Sequence, residues 1–331
     1  MPDATKGPAG DSRPDHDPTN ADPTNADTAD DASVTRADGS RGTRVDDDTV
    51  LSPDEEAVPD TSVDISVEEI AALPPGKLLE VDDVTLRFGG VTALDGVSFH
   101  INTGEILGLI GPNGAGKTTC FNVMTGVYQP TSGEARFMGE PLGKRQKFQI
   151  TKLGIARTFQ NIRLFHNMTA MENVLVGADA HHSTGMGSAL LRLPKHKAEE
   201  AEGNDRAYEL LRFMGLEKRA DELARNLPYG DQRRLEIARA LATNPKLLCL
   251  DEPAAGFNPA EKEDLMGLIR RIRDLGHTVL VIEHDMRLVM GVTDRIVVLE
   301  FGQKIADGLP DEVARNPKVI AAYLGEPDDA A

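Results

Sequence analysis

Regular alternation of apolar and polar side chains begins at Leu78. Leu78–Phe88 (LLEVDDVTLRF) and Ala93–Ile101 (ALDGVSFHI) alternate with a period of two, with Gly89-Gly90 between them. This pattern predicts an antiparallel β pair. Glu105–Gly111 (EILGLIG) is nearly continuous in apolar residues, as in a strand buried on both faces, and leads through a glycine-rich loop into a helix from Lys117. Leu247–Glu252 (LLCLDE) and His277–Asp285 (HTVLVIEHD) read as two more buried strands, each preceded by a helical pattern. Arg295–Gly308 reads as a closing hairpin, and Ala198–Met214 and Asp231–Thr243 carry helical spacing. Strands alternating with helices imply an α/β core with parallel strands. About residues 161–230 the pattern is helical without a strand, which predicts a helical insertion into that core.

Composition sets the first 76 residues apart. They hold 19 acidic and 5 basic side chains, −14 of the net −18 of the 331-residue chain, and no Phe, Tyr or Trp. Asp17–Ala21 (DPTNA) is repeated at Asp22–Ala26. Such a segment cannot bury enough apolar surface to offset the entropy of ordering it. Residues 1–76 are therefore expected to be a disordered acidic tail. Within it, Ile65–Leu73 could form one helical turn, broken by Pro74-Pro75-Gly76. The folded domain is expected over 77–326, with a short acidic tail at 327–331. The chain after Gly76 carries only −4, so no general basic footprint for nucleic acid is present and no nucleic-acid partner is expected. No apolar run approaches the roughly 18 residues of a membrane-spanning helix. Met1-Pro2-Asp3 does not begin a secretory or transit signal. Cys120 and Cys249 stand far apart and suggest neither a disulfide framework nor a metal site, in keeping with a reducing compartment.

Gly111-Pro112-Asn113-Gly114-Ala115-Gly116-Lys117-Thr118 fits G-x-x-x-x-G-K-[ST], with a buried strand before it and a helix after it. Glycines let successive backbone N–H groups turn inward to phosphate oxygens, and the helix end adds a positive dipole. Lys117 can reach the β- and γ-phosphates, and the Thr118 hydroxyl can ligate Mg²⁺. The candidate nucleotide-binding run extends through Thr119. Asp251 leaves the carboxyl end of the LLCLD strand, where it can hold Mg²⁺. Glu252 is placed to act as general base on an attacking water. Two acids ending a strand also serve as a helix cap, but beside a phosphate cradle they point to a Mg²⁺-dependent nucleoside triphosphatase, without saying which nucleotide it uses.

Leu227–Leu241 (LPYGDQRRLEIARAL), just ahead of the acidic strand, resembles the signature segment of ABC ATPases and the helix behind it. The order cradle, Gln160, signature, Asp251-Glu252, His284 is also that family's order, and the resemblance spans about Leu78 to Gly325. It implies a P-loop NTPase core with a mixed sheet, an antiparallel β subdomain and a helical insertion. It further implies that Gln160, in RTFQN, contacts Mg²⁺ or the attacking water and hinges the insertion. His284 would sense the γ-phosphate, and Phe88 would stack on adenine, with a core Phe as the rival use of that residue. Tyr229, Gly230 and Asp231 would face the nucleotide held by an opposite subunit. Pro228 stands where the family usually has Ser, and a proline offers neither hydroxyl nor N–H. Ala254–Pro259 (AAGFNP) resembles the loop after the acidic strand, with Asn258 where Asp is frequent.

RTFQNIRLF, MTAMENVLVG, VIEHDMRLVM and the terminal NPKVIAAYLG look like the ATP-binding subunit of branched-chain amino acid importers. Urea or short-amide importers and the lipopolysaccharide-export ATPase are near relatives. The resemblance implies two integral membrane permease subunits and a second, homologous ATPase subunit or a second copy of this chain. It also implies an extracytoplasmic solute-binding protein and a peripheral position on the cytoplasmic face of the membrane. A soluble ABC ATPase acting on DNA or ribosomes usually has two cradles or a long coiled-coil insertion, and this sequence has one cradle and about 70 inserted residues.

Overall fold

The computed structural model describes residues 73–178 and 194–324. Residues 1–72 of the expected tail, most of the Ile65–Leu73 turn and the terminal 327–331 lie outside the described residues. Leu73–Gly76, assigned above to the tail, already belongs to the fold. The Thr103 amide donates to the Gly76 carbonyl at 2.9 Å, its hydroxyl donates to the Pro74 carbonyl at 3.2 Å, and Leu73 packs on the core.

Strand β1 (Lys77–Phe88) pairs antiparallel with β2 (Val91–Asn102), as the alternation predicts. Strand β3 (Ile106–Ile110) enters the second sheet. Two further strands, β4 (Ser132–Phe137) and β5 (Glu140–Pro141), complete a four-stranded antiparallel sheet ordered β2-β1-β4-β5. Neither was visible in the sequence, because β4 buries only Ala135 and Phe137 and β5 is two residues long.

The remaining strands are β6 (Ile155–Arg157), β7 (Leu247–Asp251), β8 (Thr278–Ile282), β9 (Arg295–Glu300) and β10 (Gln303–Gly308). With β3 they form a six-stranded sheet ordered β10-β9-β3-β8-β7-β6. All neighbours are parallel except the β9–β10 hairpin, so the sheet is mixed. β3, β7 and β8 are buried at every position, and their side chains alternate between two cores. Leu247, Cys249, Leu280 and Ile282 face the antiparallel sheet and helix α1 (Lys117–Met124). Leu248, Leu250, Val279 and Val281 face a helical layer. Each such side chain contributes about 1.5–3 kcal/mol on burial, which is why a continuous apolar run is stable only between two layers.

Short α2 (Lys147–Leu153) precedes β6. The helical layer contains α3 (Ala170–Ala178), α4 (Pro194–Phe213) and α5 (Tyr229–Ala242), joined through buried Val174, Leu210, Leu211 and Leu235. Among the described residues of 161–230 the only β pairing is an isolated bridge, Thr169–Leu223. α5 begins at Tyr229, two residues before the expected start. Helix α6 (Pro259–Asp274) starts from an Asn258 cap, in which the Asn258 side chain accepts from the Glu261 amide. Helices α7 (Met286–Val292), α8 (Pro310–Ala314) and α9 (Pro317–Leu324) close the sheet end near β9 and β10.

Both thiols are buried, and burial pushes each up to about 12, so neither is a reactive nucleophile. His277 is also buried, with Nδ1 2.6 Å from the Pro245 carbonyl oxygen. Burial, aided by Arg206, lowers its pKa from 6.5 to about 4. Between those values the unfolded chain holds a proton that the folded chain does not, so this contribution is complete above pH 6.5 and lost as pH falls toward 4. A shift of that size corresponds to about 3 kcal/mol. Thermal melts of the wild type should therefore lose midpoint temperature across this window, and His277→Gln should flatten that part of the profile. Parallel profiles would exclude His277 as the group responsible.

Candidate active site

β3 delivers the chain to the loop at its carboxyl end, and that loop turns into α1. Gly111 has φ 151°, and a Cβ there would lie 2.1 Å from the Leu299 carbonyl oxygen of β9. Gly116 caps α1 with φ 96°, and a Cβ there would lie 2.8 Å from the Ala93 carbonyl oxygen. Backbone conformation and close approach together reserve both positions for glycine. Asn113 through Thr119 line one side of a cleft of about 490 Å³, which Val91–Ala93 of β2, Gln160, Glu252 and Phe301 complete. Gly111 and Pro112 form the base of the loop. Their carbonyl oxygens accept from Lys117 Nζ at 2.7 and 2.9 Å. Burial lowers the Lys117 pKa, and the Glu252 carboxylate opposes that shift. An ammonium held at the mouth of an amide-rich loop, with hydroxyls at Thr118 and Thr119, is a donor set suited to phosphate oxygens.

Glu252 follows β7 and remains tied to the sheet by its amide, which donates to the Ile282 carbonyl at 2.8 Å. Its φ of 46° is left-handed, a conformation that costs a non-glycine residue about 1–3 kcal/mol and that clusters at functional sites. Gln160 Nε2 donates to Glu252 Oε2 at 3.0 Å, and His284 Nδ1 lies 3.8 Å from the same oxygen. The three residues assigned to catalysis from sequence are thus brought together at the end of the parallel strands. Beneath them is a residue the sequence reading missed. Buried Glu283 accepts from the Ala254 amide at 2.9 Å and the His284 amide at 3.1 Å, fastening the loop after β7 to the loop after β8. Its position beside His284 in IEHD was the available signal.

Asp251 ends β7, buried behind the cleft, and burial raises its carboxyl pKa against the opposing charge of Arg157. Arg157 Nη2 is 3.7 Å from Asp251 Oδ2, while Nη1 donates to Asn122 Oδ1 on α1 at 3.1 Å and to Thr125 Oγ1 at the C-terminal cap of α1 at 3.2 Å. Its guanidinium lies over the rings of Phe121 and Phe159, 4.4 and 4.7 Å from their centroids. It therefore bridges the phosphate-loop helix and the acidic strand end.

Phe88 is not part of the cleft lining. Its ring is half-exposed and makes an edge contact with Tyr128, at 5.2 Å between centroids, and it is not a core residue either. The aromatic side chain on the cleft is Phe301, at the β9–β10 turn. Tyr229, Gly230 and Asp231 also lie outside this cleft. Tyr229 packs edge-on to Phe257 at 6.3 Å, and Asp231 is 3.3 Å from Arg219. Within a single chain the signature segment therefore meets the loop after β7, not the phosphate loop.

Comparison with known proteins adds to this geometry. A family model for ABC transporters matches residues 94–255, and one for branched-chain amino acid ATP-binding cassette transporters matches 303–329. The chain is 49% identical over 250 residues to the high-affinity branched-chain amino acid transport ATP-binding protein LivG of Salmonella typhimurium, covering 75% of this chain and 98% of that protein. The chain belongs to the ABC transporter ATPases. It resembles a crystal structure of a nucleotide-free ATP-binding cassette from an ABC transporter with TM-score 0.66 and 33% identity, over 76% of this chain and all of the other. It also resembles a dimeric ATP-binding cassette in a post-hydrolysis state bound to ADP and phosphate, with TM-score 0.60 and 28% identity, over 70% of this chain and 98% of the other. The β arrangement and helical layer are those expected of an ABC ATPase, and the ABC ATPase binds and hydrolyses ATP.

Proposed function

We propose that this ABC ATPase energises an importer of branched-chain amino acids. The observation that carries the catalytic half is the cleft that joins the phosphate loop to Glu252, with Gln160 bonded to that carboxylate at 3.0 Å. The loop amides and Lys117 would hold the phosphates of ATP. Glu252 would take the proton of the attacking water, oriented by Gln160 and His284. Among the described residues no three His, Cys, Asp or Glu side chains converge to hold an ion alone. The cleft donors Thr118 and Gln160, with Asp251 behind them acting through water, fit Mg²⁺ held jointly with phosphate, since Mg²⁺ usually keeps waters and takes one or two carboxylates besides phosphate. When bound, the ion would neutralise charge on the phosphate oxygens.

Tyr229–Asp231 lie outside this chain's own cleft, which supports a face-to-face pair in which each signature segment meets the other subunit's nucleotide. The dimeric cassette cited above supports pairing of two such chains. ATP would favour the closed pair by binding it better than the open one, and hydrolysis would reopen it. No described helix is long and apolar enough to cross a membrane. The likeness to importer ATPases supports two membrane permeases as partners, with the ATPase peripheral on the cytoplasmic face and a solute-binding protein outside. An apolar groove of about 580 Å³ between β6 and the helical layer, walled by Ile155, Phe159, Phe165 and Val176, is a fitting seat for a permease helix. The branched-chain substrate rests on the 49% identity to LivG along nearly all of that protein and on the match at 303–329. Cells lacking this chain should lose ATP-dependent uptake of labelled leucine and valine and keep that of urea. Loss of urea uptake alone would overturn the substrate assignment.

A further inference from the structure

The segment that carries Gln160 changes allegiance within two residues. Thr158 belongs to the sheet. Its amide donates to the Cys249 carbonyl of β7 at 2.9 Å, and its hydroxyl accepts from the Asp251 amide at 3.3 Å. At Phe159, Gln160 and Arg163 the main-chain partners lie on α5. Arg233 donates through Nη1 to the Phe159 carbonyl at 2.7 Å and through Nη2 to the Gln160 carbonyl at 2.8 Å. Glu236 Oε1 accepts from the Arg163 amide at 3.1 Å and, more weakly, from the Phe159 amide at 3.4 Å. The two side chains also pair with each other, Arg233 Nη1 to Glu236 Oε2 at 2.9 Å. Both side chains are almost fully buried, at 0% and 1% exposure. Farther along, Arg239 of α5 lies over the Phe165 ring, 5.6 Å from its centroid.

A buried ion pair alone gives little net stability relative to apolar residues of the same size. This pair is distinguished by four main-chain partners in one loop, and a planar guanidinium fork fixes the direction of two of them. The loop 159–163 is thus fastened to the helix whose first residues are Tyr229, Gly230 and Asp231. Gln160 nevertheless reaches across to Glu252, which is tied to the sheet.

We propose that Arg233 and Glu236 are positioning residues that make 159–163 part of the helical layer, placing the hinge at the Thr158–Phe159 peptide. The Gln160–Glu252 contact and the placement of the signature end of α5 then form a single variable. A nucleotide that draws Gln160 in one site shifts the surface offered to the opposite site. This inference rests on the roles proposed above for Gln160 and the signature segment.

The test compares the full-length wild type with the double variant Arg233→Met, Glu236→Leu by amide hydrogen exchange, with and without ATP and Mg²⁺. It is run at a concentration where sedimentation shows monomers, so that a second copy cannot protect α5. In the wild type, nucleotide should change exchange in 159–163 and 229–233 together. In the double variant ATP should still bind and alter 159–163, while the response at 229–233 is lost. A wild type responding only at 159–163, or a double variant responding at both, overturns the proposal and leaves the reading of Gln160 standing. No response at 159–163 in the wild type removes that reading and the proposal with it. Glu236→Gln keeps an acceptor for both amides and should preserve the joint response; its failure to do so counts against the proposal. Should the double variant not fold, Arg233→Lys is read in its place, because it keeps the charge but lacks the fork that spans both carbonyls.

Discussion

Glu252→Gln stops ATP turnover while leaving ATP bound. The expected fall in steady-state hydrolysis is about 10²- to 10⁴-fold, the usual worth of a positioned general base. The substitution is nearly isosteric and leaves the backbone at φ 46° to the same neighbours. The amide oxygen of Gln can still accept from Gln160 Nε2, which now bonds the carboxylate at 3.0 Å. What is lost is the capacity to take a proton. Phosphate release and an ATP titration on the same preparation separate the two effects. The closed pair should accumulate, since hydrolysis is the step that reopens it. Unchanged steady turnover would remove Glu252 from the role of base.

Lys117→Ala acts one step earlier. A hydrogen bond to a charged group is worth about 1.5–3 kcal/mol, so ATP affinity should weaken by about 10- to 100-fold. The fold should survive, because Lys117 lines the cleft and its truncation takes away only two hydrogen bonds, to the Gly111 and Pro112 carbonyls. Equal affinity in a titration of well-folded variant would contradict the cradle assignment. The two substitutions thus divide the site, with Lys117 setting binding and Glu252 setting rate.

Much of this site was legible because its parts are contiguous. The phosphate loop, the Asp251-Glu252 strand end and His284 each follow a run of apolar residues, and such runs in β3, β7 and β8 can be stable only inside a sheet. Their meeting at one end of the sheet follows from parallel pairing, which puts every carboxyl end on the same side. Other features have no local signature. Strand β6 has three residues, too few to display a period, yet it delivers Arg157 and the loop carrying Gln160. The partners of Arg157 come from α1, the 159 loop and β7, so nothing in the spacing around Arg157 announces its role. Phe88 shows the converse. The resemblance implies a nucleotide contact for it, while the ring it touches, Tyr128, lies 40 positions away and the aromatic lining the cleft, Phe301, comes from a distant hairpin turn. The Arg233–Glu236 clasp was hidden in the same way, since helical spacing on α5 cannot reveal which loop lies against it.

The strand order has a consequence for how the chain is made. β3 lies between β8 and β9, both supplied by residues 278–300, and the first glycine of the phosphate loop is pressed against Leu299. A ribosome therefore releases the loop long before the walls that shape it exist. Until those strands arrive, Ile106–Ile110 is an apolar segment with two open edges, the kind of surface that recruits neighbouring chains. A nascent fragment ending before Thr278 would contain Lys117 and Thr118 in sequence and no cradle in space. Nucleotide can reward folding only after β8 and β9 have been made, when most of the sheet is already committed.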